Sequence, residues 1–511
     1  MRIVLITTPT RTYMPNTVLP MGVLYLASYL GTHGHSVKII DIARTRQDEA
    51  TTLAEVGEFA PDVIGISGII TAYLFVRSLT KTLKKAFPRI PVIVGGHITI
   101  DNIEQLILDV GCDYVVVGYG EKPLLYFLDF LEGKRKREDV PQLSYLKDGA
   151  IMRNEGHIFF DNIDDMQFPA YDKVDMQYYL TAIPNNLKLA IYLAKTGKKA
   201  PPMRFAPVIG ALGCTDRCAF CIHEFEYRGF RVHSTGYVMR NIEILYKDYG
   251  ARIFGMGEDL FLYNPKQARE FSAMMTNNFP DAYFSCSIRA DYVTHELLEA
   301  LEGSNCYYLA YGFESGDDTI LKILGKRMSR STNIKAYQLI SDTAITPACS
   351  FMVGTPGETR DTLRNTINAI KEAGITDSAV FFTTPYPGSR LFRWCTEQGL
   401  IKNTVRYLEI VANRDAMVLT INFTKYPDIV VKLMRMMVLK ELDKNLFRAG
   451  KASKLAPYKF VMIHIITPLV YETYFVLRKI CGLLFARFRD ESTRIVLNDK
   501  GTVSISEDLK R

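Results

Sequence analysis

Two stretches of the chain repeat one alternation of short apolar, β-branched runs with longer amphipathic segments. In the first, residues 1–132, the apolar runs fall at 3–8, 37–41, 63–67, 92–95 and 114–118, with helix-length segments between them. Runs this short read as strands, and strand–helix alternation predicts parallel βαβ units in a doubly wound, Rossmann-like sheet. Such sheets bind ligands at the carboxyl ends of their strands. The informative loops are therefore 8–22, Ser67-Gly68-Ile69, Gly95-Gly96-His97 and Gly118-Tyr119-Gly120-Glu121. No G-x-G-x-x-G follows the first strand, which argues against a nicotinamide dinucleotide.

From 204 to 400 the alternation resumes, with predicted strands at 205–210, 252–256, 283–287, 307–313, 348–353 and 380–384. Residues 133–203 carry no such period and read as an irregular linker. Within it, 133–139 is a solvated charged turn and 185–202 a polar, Lys-rich loop. Residues 401–511 read as mostly helical.

A chain of 511 residues exceeds what one core supports, so several domains are expected. A hydrophobic content of 48% with 23% charged residues is that of a globular protein. A net charge of +7 is too modest at this length to argue for nucleic acid. The N-terminus opens directly into a strand-like run and lacks the pattern of a secretory signal, so a cytoplasmic location is expected.

The candidate chemistry sits in Gly213-Cys214-Thr215-Asp216-Arg217-Cys218-Ala219-Phe220-Cys221, a C-x₃-C-x₂-C pattern. Three thiolates on one short loop hold three corners of a cubane iron–sulfur cluster and leave the fourth iron open. Electron carriers use four cysteines per cluster, so a set of three points to chemistry at iron. A disulfide framework belongs to an oxidising compartment. A zinc site recruiting His223 would want ligand pairs set further apart. The remaining cysteines, Cys112, Cys286, Cys306, Cys349, Cys395 and Cys481, are scattered singly and read as buried free thiols.

The cysteine segment resembles the signature of radical S-adenosylmethionine (SAM) enzymes. The resemblance implies that Cys214, Cys218 and Cys221 hold a [4Fe-4S] cluster whose open iron binds the amino and carboxylate groups of SAM. An electron from the cluster then splits SAM into methionine and a 5′-deoxyadenosyl radical. It also implies a partial (β/α)6 barrel with its site at the carboxyl ends of the strands. Glu258 and Asp259, in Gly255-Met256-Gly257-Glu258-Asp259, stand where the family holds the SAM amino group, and carboxylates accept hydrogen bonds from an ammonium. Arg289 with Asp291 follows the third strand. Glu314 and Ser315, in Gly312-Phe313-Glu314-Ser315-Gly316, are placed to address the ribose. Gly354, opening Gly354-Thr355-Pro356-Gly357-Glu358-Thr359, is placed against adenine, and Thr384-Pro385-Tyr386-Pro387-Gly388-Ser389 ends the sixth strand.

Upstream, Pro20-Met21-Gly22-Val23-Leu24-Tyr25-Leu26-Ala27, Gly95-Gly96-His97-Ile98-Thr99 and the segment 113–121 resemble the cobalamin-binding domain that precedes many radical SAM cores. The implied cobalamin contacts are Ser67, Gly95, Gly96, His97, Gly118 and Glu121. Glycines there let backbone approach a planar corrin and its nucleotide tail. Many such domains carry D-x-H-x-x-G after the first strand, with the His beneath cobalt. The loop 8–22 contains no His, and His33 and His35 lie at the opposite end of the sheet, so cobalt is expected to lack an imidazole beneath it.

The implied fold class is α/β: a Rossmann-like cobalamin domain (1–132), a linker (133–203), the radical SAM barrel (204–400) and a helical C-terminal region (401–511). The implied activity is methylation of an unactivated carbon of a small molecule, with SAM, cobalamin, the cluster and an electron donor such as flavodoxin or ferredoxin. An oxidative cyclisation or rearrangement, or a non-catalytic cobalamin carrier or sensor, are the alternatives. A methylthiotransferase would need a second cysteine set in the N-terminal domain, which has only Cys112. Between 432 and 489, twelve Lys and Arg face three Asp and Glu, around an apolar run at 460–471. That run is shorter than a spanning helix needs. It suits either a helix in a membrane interface, with a lipid-like substrate, or a helix packed on the barrel.

Overall fold

A computed structural model describes residues 1–11, 18–181, 186–222, 229–257, 260–376, 378–412, 414 and 416–448, with Leu469 and Thr473 beyond. The first sheet begins with β1 (Arg2–Thr7), β2 (Ser36–Asp41), β3 (Val63–Ser67), β4 (Val92–Gly95) and β5 (Tyr114–Val116). These pair in parallel in the order β2-β1-β3-β4-β5, with Ile3 opposite Val37 and Val63. The crossover at β1 is that of a doubly wound sheet, and helices cover both faces as parallel strands require.

Two parts of the expected linker are ordered instead. Residues Leu143–Lys147 (β6) and Ala150–Arg153 (β7) form an antiparallel hairpin that extends the sheet beyond β5. Its two-residue turn is Asp148-Gly149, with φ of 50° and 79°, the geometry that type I′ hairpins demand. The expected Lys-rich loop holds the helix Asn186–Thr196. Its Leu189 and Tyr192 are buried against Ile253, Tyr283 and Tyr307, and that apolar spacing outweighs the flanking Lys188 and Lys195.

The second sheet starts at β8 (Phe205–Val208). A short antiparallel pair, β9 (Ala211–Leu212) and β10 (Arg231–Val232), follows it and brackets the cysteine segment. Then come β11 (Ile253–Met256), β12 (Tyr283–Ser287), β13 (Cys306–Glu314), β14 (Thr346–Val353) and β15 (Ser378–Phe382). The six long strands are all parallel and lie in chain order from β8 to β15, which are the two edges of an open, partial barrel. Cys112, Cys286, Cys306, Cys349 and Cys395 are buried free thiols, as expected. Cys481 lies outside the described residues.

The region after 400 joins the two halves. Helix Thr404–Val411 and the residue after it bury Leu408 and Ala412 in the core of the first sheet, and Glu409 pairs with Arg77 at 3.1 Å. Helix Asp428–Arg448 buries Val430, Val431, Met434 and Val438 in the barrel core. Elsewhere Tyr179 donates a hydrogen bond of 2.8 Å to Asp41 at the end of β2. The segment 454–489, on which the membrane expectation rests, lies outside the described residues apart from Leu469 and Thr473. Among those described, no helix is long and apolar enough to cross a membrane.

Leu408 is fully buried in a core belonging to another part of the chain. Leu408→Ala should cost about 2–5 kcal/mol of stability, read as a shift in the urea midpoint.

Candidate functional site

The cysteine loop begins at Gly213, whose φ is +79° and whose added Cβ would lie 2.4 Å from the Gly229 carbonyl oxygen, so only glycine fits. Cys214, Cys218 and Cys221 are free and partly exposed. The loop is gripped on several sides. Ala219 donates its backbone N–H to Leu324 O at 2.8 Å, and its carbonyl accepts from Leu391 N at 2.7 Å. Arg390 donates to the Arg217 carbonyl. Between the cysteines, Asp216 is ion-paired to Arg327 at 2.7 Å and to Arg289, with only 4% of its side chain exposed. Arg327 also donates to Thr215 O at 2.7 Å.

Burial pushes the Cys218 thiol up to about 12, against the opposing pull of the Lys326 ammonium. Among the described residues no three His, Cys, Asp or Glu side chains stand close enough to hold a single ion. A cubane does not ask for that, because each cysteine holds its own iron. Three free thiols on a loop ringed by cations fit an anionic cluster. His223 lies outside the described residues.

The ends of the barrel strands hold the other expected residues, except Glu258 and Asp259, which lie outside the described residues. Arg289, just after β12, grips Asp291 with Nε at 2.9 Å and Nη2 at 2.7 Å, and its remaining nitrogen reaches Asp216. Its guanidinium thus ties β12 to the cysteine loop. Glu314 ends β13 in a left-handed conformation, φ 62°, which a non-glycine residue adopts only when held. The Lys326 ammonium holds it at 3.3 Å and donates to Gly312 O at 2.8 Å. A Cβ on Gly312 would sit 2.0 Å from a Glu314 oxygen. Ser315 is turned inward. Its Oγ lies 3.1 Å from Thr366 Oγ1 and accepts from Asp317 N at 3.2 Å, so it is not presented to a ribose. Gly354, φ 82°, opens a turn in which its own N–H and that of Thr355 donate to the buried Glu358 carboxylate.

At the first sheet, Gly96 has a φ of +84°, and an added Cβ would lie 2.7 Å from Gly68 O, so β3 and β4 end in close backbone contact. Ser67 O accepts from Thr8 Oγ1 at 3.0 Å. His97 follows on the exposed edge. Gly95 and Gly118 line the same edge, Gly118 with φ 99°. Glu121 opens helix Glu121–Leu131 and is buried.

The two strand-end edges meet. Gly388 after β15 has φ 93°, and its added Cβ would lie 2.4 Å from Ile100 of the first domain. Asp101 pairs with Arg393 at 3.7 Å. Ile70, just after β3, packs on the cluster of Ala219, Leu391, Phe392 and Trp394. A cleft of about 500 Å³ opens between the edges, lined by Asp101, Gln105, Val117, Arg153, Phe392 and Arg393 among others. Asp216, Lys326 and Glu358 were not picked out as site residues from sequence. Nothing in their local pattern marks them, because their partners are distant in the chain.

A family model described as the B12 binding domain matches residues 9–127, and that of the Radical SAM superfamily matches 208–370. The chain is 27% identical to an uncharacterized methyltransferase of Pyrococcus horikoshii, over 89% of this chain and 93% of that protein. It is 23% identical to the anaerobic magnesium-protoporphyrin IX monomethyl ester cyclase of Rubrivivax gelatinosus, over 73% of this chain and 66% of that protein. The structure of the radical SAM methyltransferase TsrM from Kitasatospora setae, with tryptophan substrate and a SAM analog bound, matches with a TM-score of 0.61 at 18% identity, over 78% and 76% of the two chains. The cobalamin-dependent radical SAM enzyme OxsB, with aqua-cobalamin and SAM bound, matches with a TM-score of 0.67 at 15% identity, over 98% and 74%.

Burial raises the Glu358 carboxyl from 4.5 to about 7, against the pull of the Gly354 and Thr355 amides. The folded state therefore keeps a proton that the unfolded state sheds between those values, and stability falls as pH rises through that window, by at most about 1.4 kcal/mol per unit. Glu358→Gln should remove this slope, measured by urea unfolding at several pH values from 4.5 to 7.5.

Proposed function

Because the chain is a radical SAM enzyme with an N-terminal B12-binding domain, we propose that it transfers a methyl group to an unactivated carbon of a small-molecule substrate. The observation that carries this reading is the meeting of the two strand-end edges. Ile70 and Ile100 of the B12-binding domain pack on the cysteine loop's own apolar cluster and on Gly388 of the barrel, which supports a reading in which both cofactors border one interdomain space. A substrate between them is within reach of both.

When bound at these sites, the cluster supplies the electron that cleaves SAM, and cobalamin carries the methyl group. The chain's own residues do the positioning. Cys214, Cys218 and Cys221 hold the iron, and Asp216, Arg289 and Arg327 fix the loop that carries them. Glu314, held by Lys326, would address the SAM ribose, and the Gly354 turn, fixed by Glu358, would support the adenine. Glu258 and Asp259 hold the SAM amino group. The backbone edge at Ser67, Gly95, Gly96 and Gly118 receives the corrin and its tail, with His97 and Glu121 beside it. The cysteine loop is partly exposed, as delivery of an electron by a small donor such as flavodoxin or ferredoxin requires.

The cyclase relative supports a second reading, an oxidative cyclisation with the same cofactors and no net methyl transfer. Incubation of the reduced, cobalamin-loaded protein with SAM carrying a deuterated methyl group separates the two. Label in the corrinoid fraction supports methyl transfer, and its absence favours cyclisation.

Two outcomes test the cofactor sites. Replacing Cys214, Cys218 and Cys221 together by Ala should abolish the SAM-perturbed cluster signal in electron paramagnetic resonance, while Cys286→Ala keeps it; survival of the signal in the triple variant would place the cluster elsewhere. The full chain should bind hydroxocobalamin with the absorption spectrum of cobalt lacking an imidazole beneath, since the loop 8–22 has no His. No corrinoid uptake under anaerobic conditions would leave the first domain a scaffold and end the methyl-transfer reading.

A further inference from the structure

Four consecutive residues, Leu324-Gly325-Lys326-Arg327, all bear on the cysteine site, although more than a hundred residues separate them from it. Leu324 O accepts the Ala219 N–H at 2.8 Å. Gly325, φ 68°, lies so close that an added Cβ would be 3.1 Å from Arg217 O and 3.3 Å from Ala219 N. Arg327 spans Asp216 and Thr215 O, each at 2.7 Å. Lys326 is the inward-facing member, with 9% of its side chain exposed, bonded to Gly312 O and paired with Glu314. Its chain neighbours touch the residues on either side of Cys218, Arg327 reaching Asp216 and Gly325 approaching Ala219 N, so Lys326 is held beside that cysteine.

A buried cation beside an iron ligand favours whichever cluster state carries more negative charge. Reduction of a [4Fe-4S] cluster from 2+ to 1+ takes up one electron and adds one negative charge. Coulomb interactions in a water-poor site fall off slowly, so a nearby ammonium weighs on that equilibrium. We infer that the Leu324–Arg327 strap positions the cysteine loop and that Lys326, opposed by Glu314, raises the reduction potential of the cluster and so sets how readily the enzyme is primed for SAM cleavage. This rests on the cluster reading above and assigns Lys326 a positioning and tuning role.

The test uses the full chain, reconstituted anaerobically with iron and sulfide, as wild type, Lys326→Gln, Lys326→Arg and Glu314→Gln. Each is titrated with dithionite and mediators, and the amplitude of the reduced-cluster resonance is followed against potential. Lys326→Gln should retain iron and shift the midpoint to more negative potential, with the reduced-to-oxidised ratio at the wild-type midpoint about tenfold lower, ~59 mV for a one-electron couple. Lys326→Arg should restore it. Glu314→Gln should shift the midpoint the opposite way, which mere loosening of the site would not do. A wild-type midpoint in Lys326→Gln, or shifts of the same sign in Lys326→Gln and Glu314→Gln, overturns the inference. If Lys326→Gln does not hold iron, the sign of the Glu314→Gln shift decides, positive for and zero or negative against. If the wild type itself takes up no iron, the cluster reading falls and this inference with it; a wild-type cluster with an unshifted Lys326→Gln removes this inference alone.

Discussion

A single buried carboxylate, Asp216, organises the centre of this molecule. It sits inside the cysteine loop, between two of the three thiols, and is held by Arg289 from the end of β12 and by Arg327 from the segment after β13. A carboxylate so far from water is tolerable only with close, well-placed partners. That requirement fixes the loop relative to two barrel strands at once. Arg289 in turn spends its other nitrogens on Asp291, so its position is set from both sides. The loop cannot shift without breaking the Asp216–Arg289 pair, which lies largely out of solvent.

The same loop carries the joint between the two halves of the chain. Ala219, which it supplies, packs with Leu391, Phe392 and Trp394, and Ile70 of the first domain closes that cluster. Helix Thr404–Val411 reinforces the joint by burying Leu408 in the first sheet's core and pairing Glu409 with Arg77. The apolar contacts supply most of the attraction, since apolar burial contributes roughly 25 cal/mol per Å² whereas a half-exposed ion pair contributes little. The ion pair fixes the register of the helix on its partner. The strand-end edges of the two sheets are thereby held against each other.

Glu314 and Lys326 show how the site combines strain with burial. A non-glycine residue at φ 62° is costly by itself, and it persists because the Lys326 ammonium holds the side chain from below. Gly312 is required two residues earlier, because a Cβ would occupy the space of the carboxylate. Backbone shape, a buried cation and a missing side chain thus act together to aim one acid at the end of β13.

Much of the architecture was legible in the chain. Both sets of apolar runs became parallel strands in the expected order, with ends displaced by a residue or two, because period and strand length are local properties. The three cysteines were legible because their spacing is short-range. The hairpin 143–153 was also written locally, in Asp148-Gly149, but the irregular composition around it hid the signal. The helix Asn186–Thr196 was misread because the lysines in and around it, Lys188, Lys195, Lys198 and Lys199, gave the segment a polar look, and only packing reveals that Leu189 and Tyr192 are buried. Ser315 and Arg289 were legible as residues at strand ends, but the partners their side chains meet were not, since neighbours such as Thr366 and Asp216 lie far along the chain. For the same reason the Leu324–Arg327 strap carried no sequence signal. Sequence determined the elements and the donor set, which rest on local pattern. Tertiary structure alone decided which charges meet around the cysteine loop, because buried ion pairs form between residues that only folding brings together.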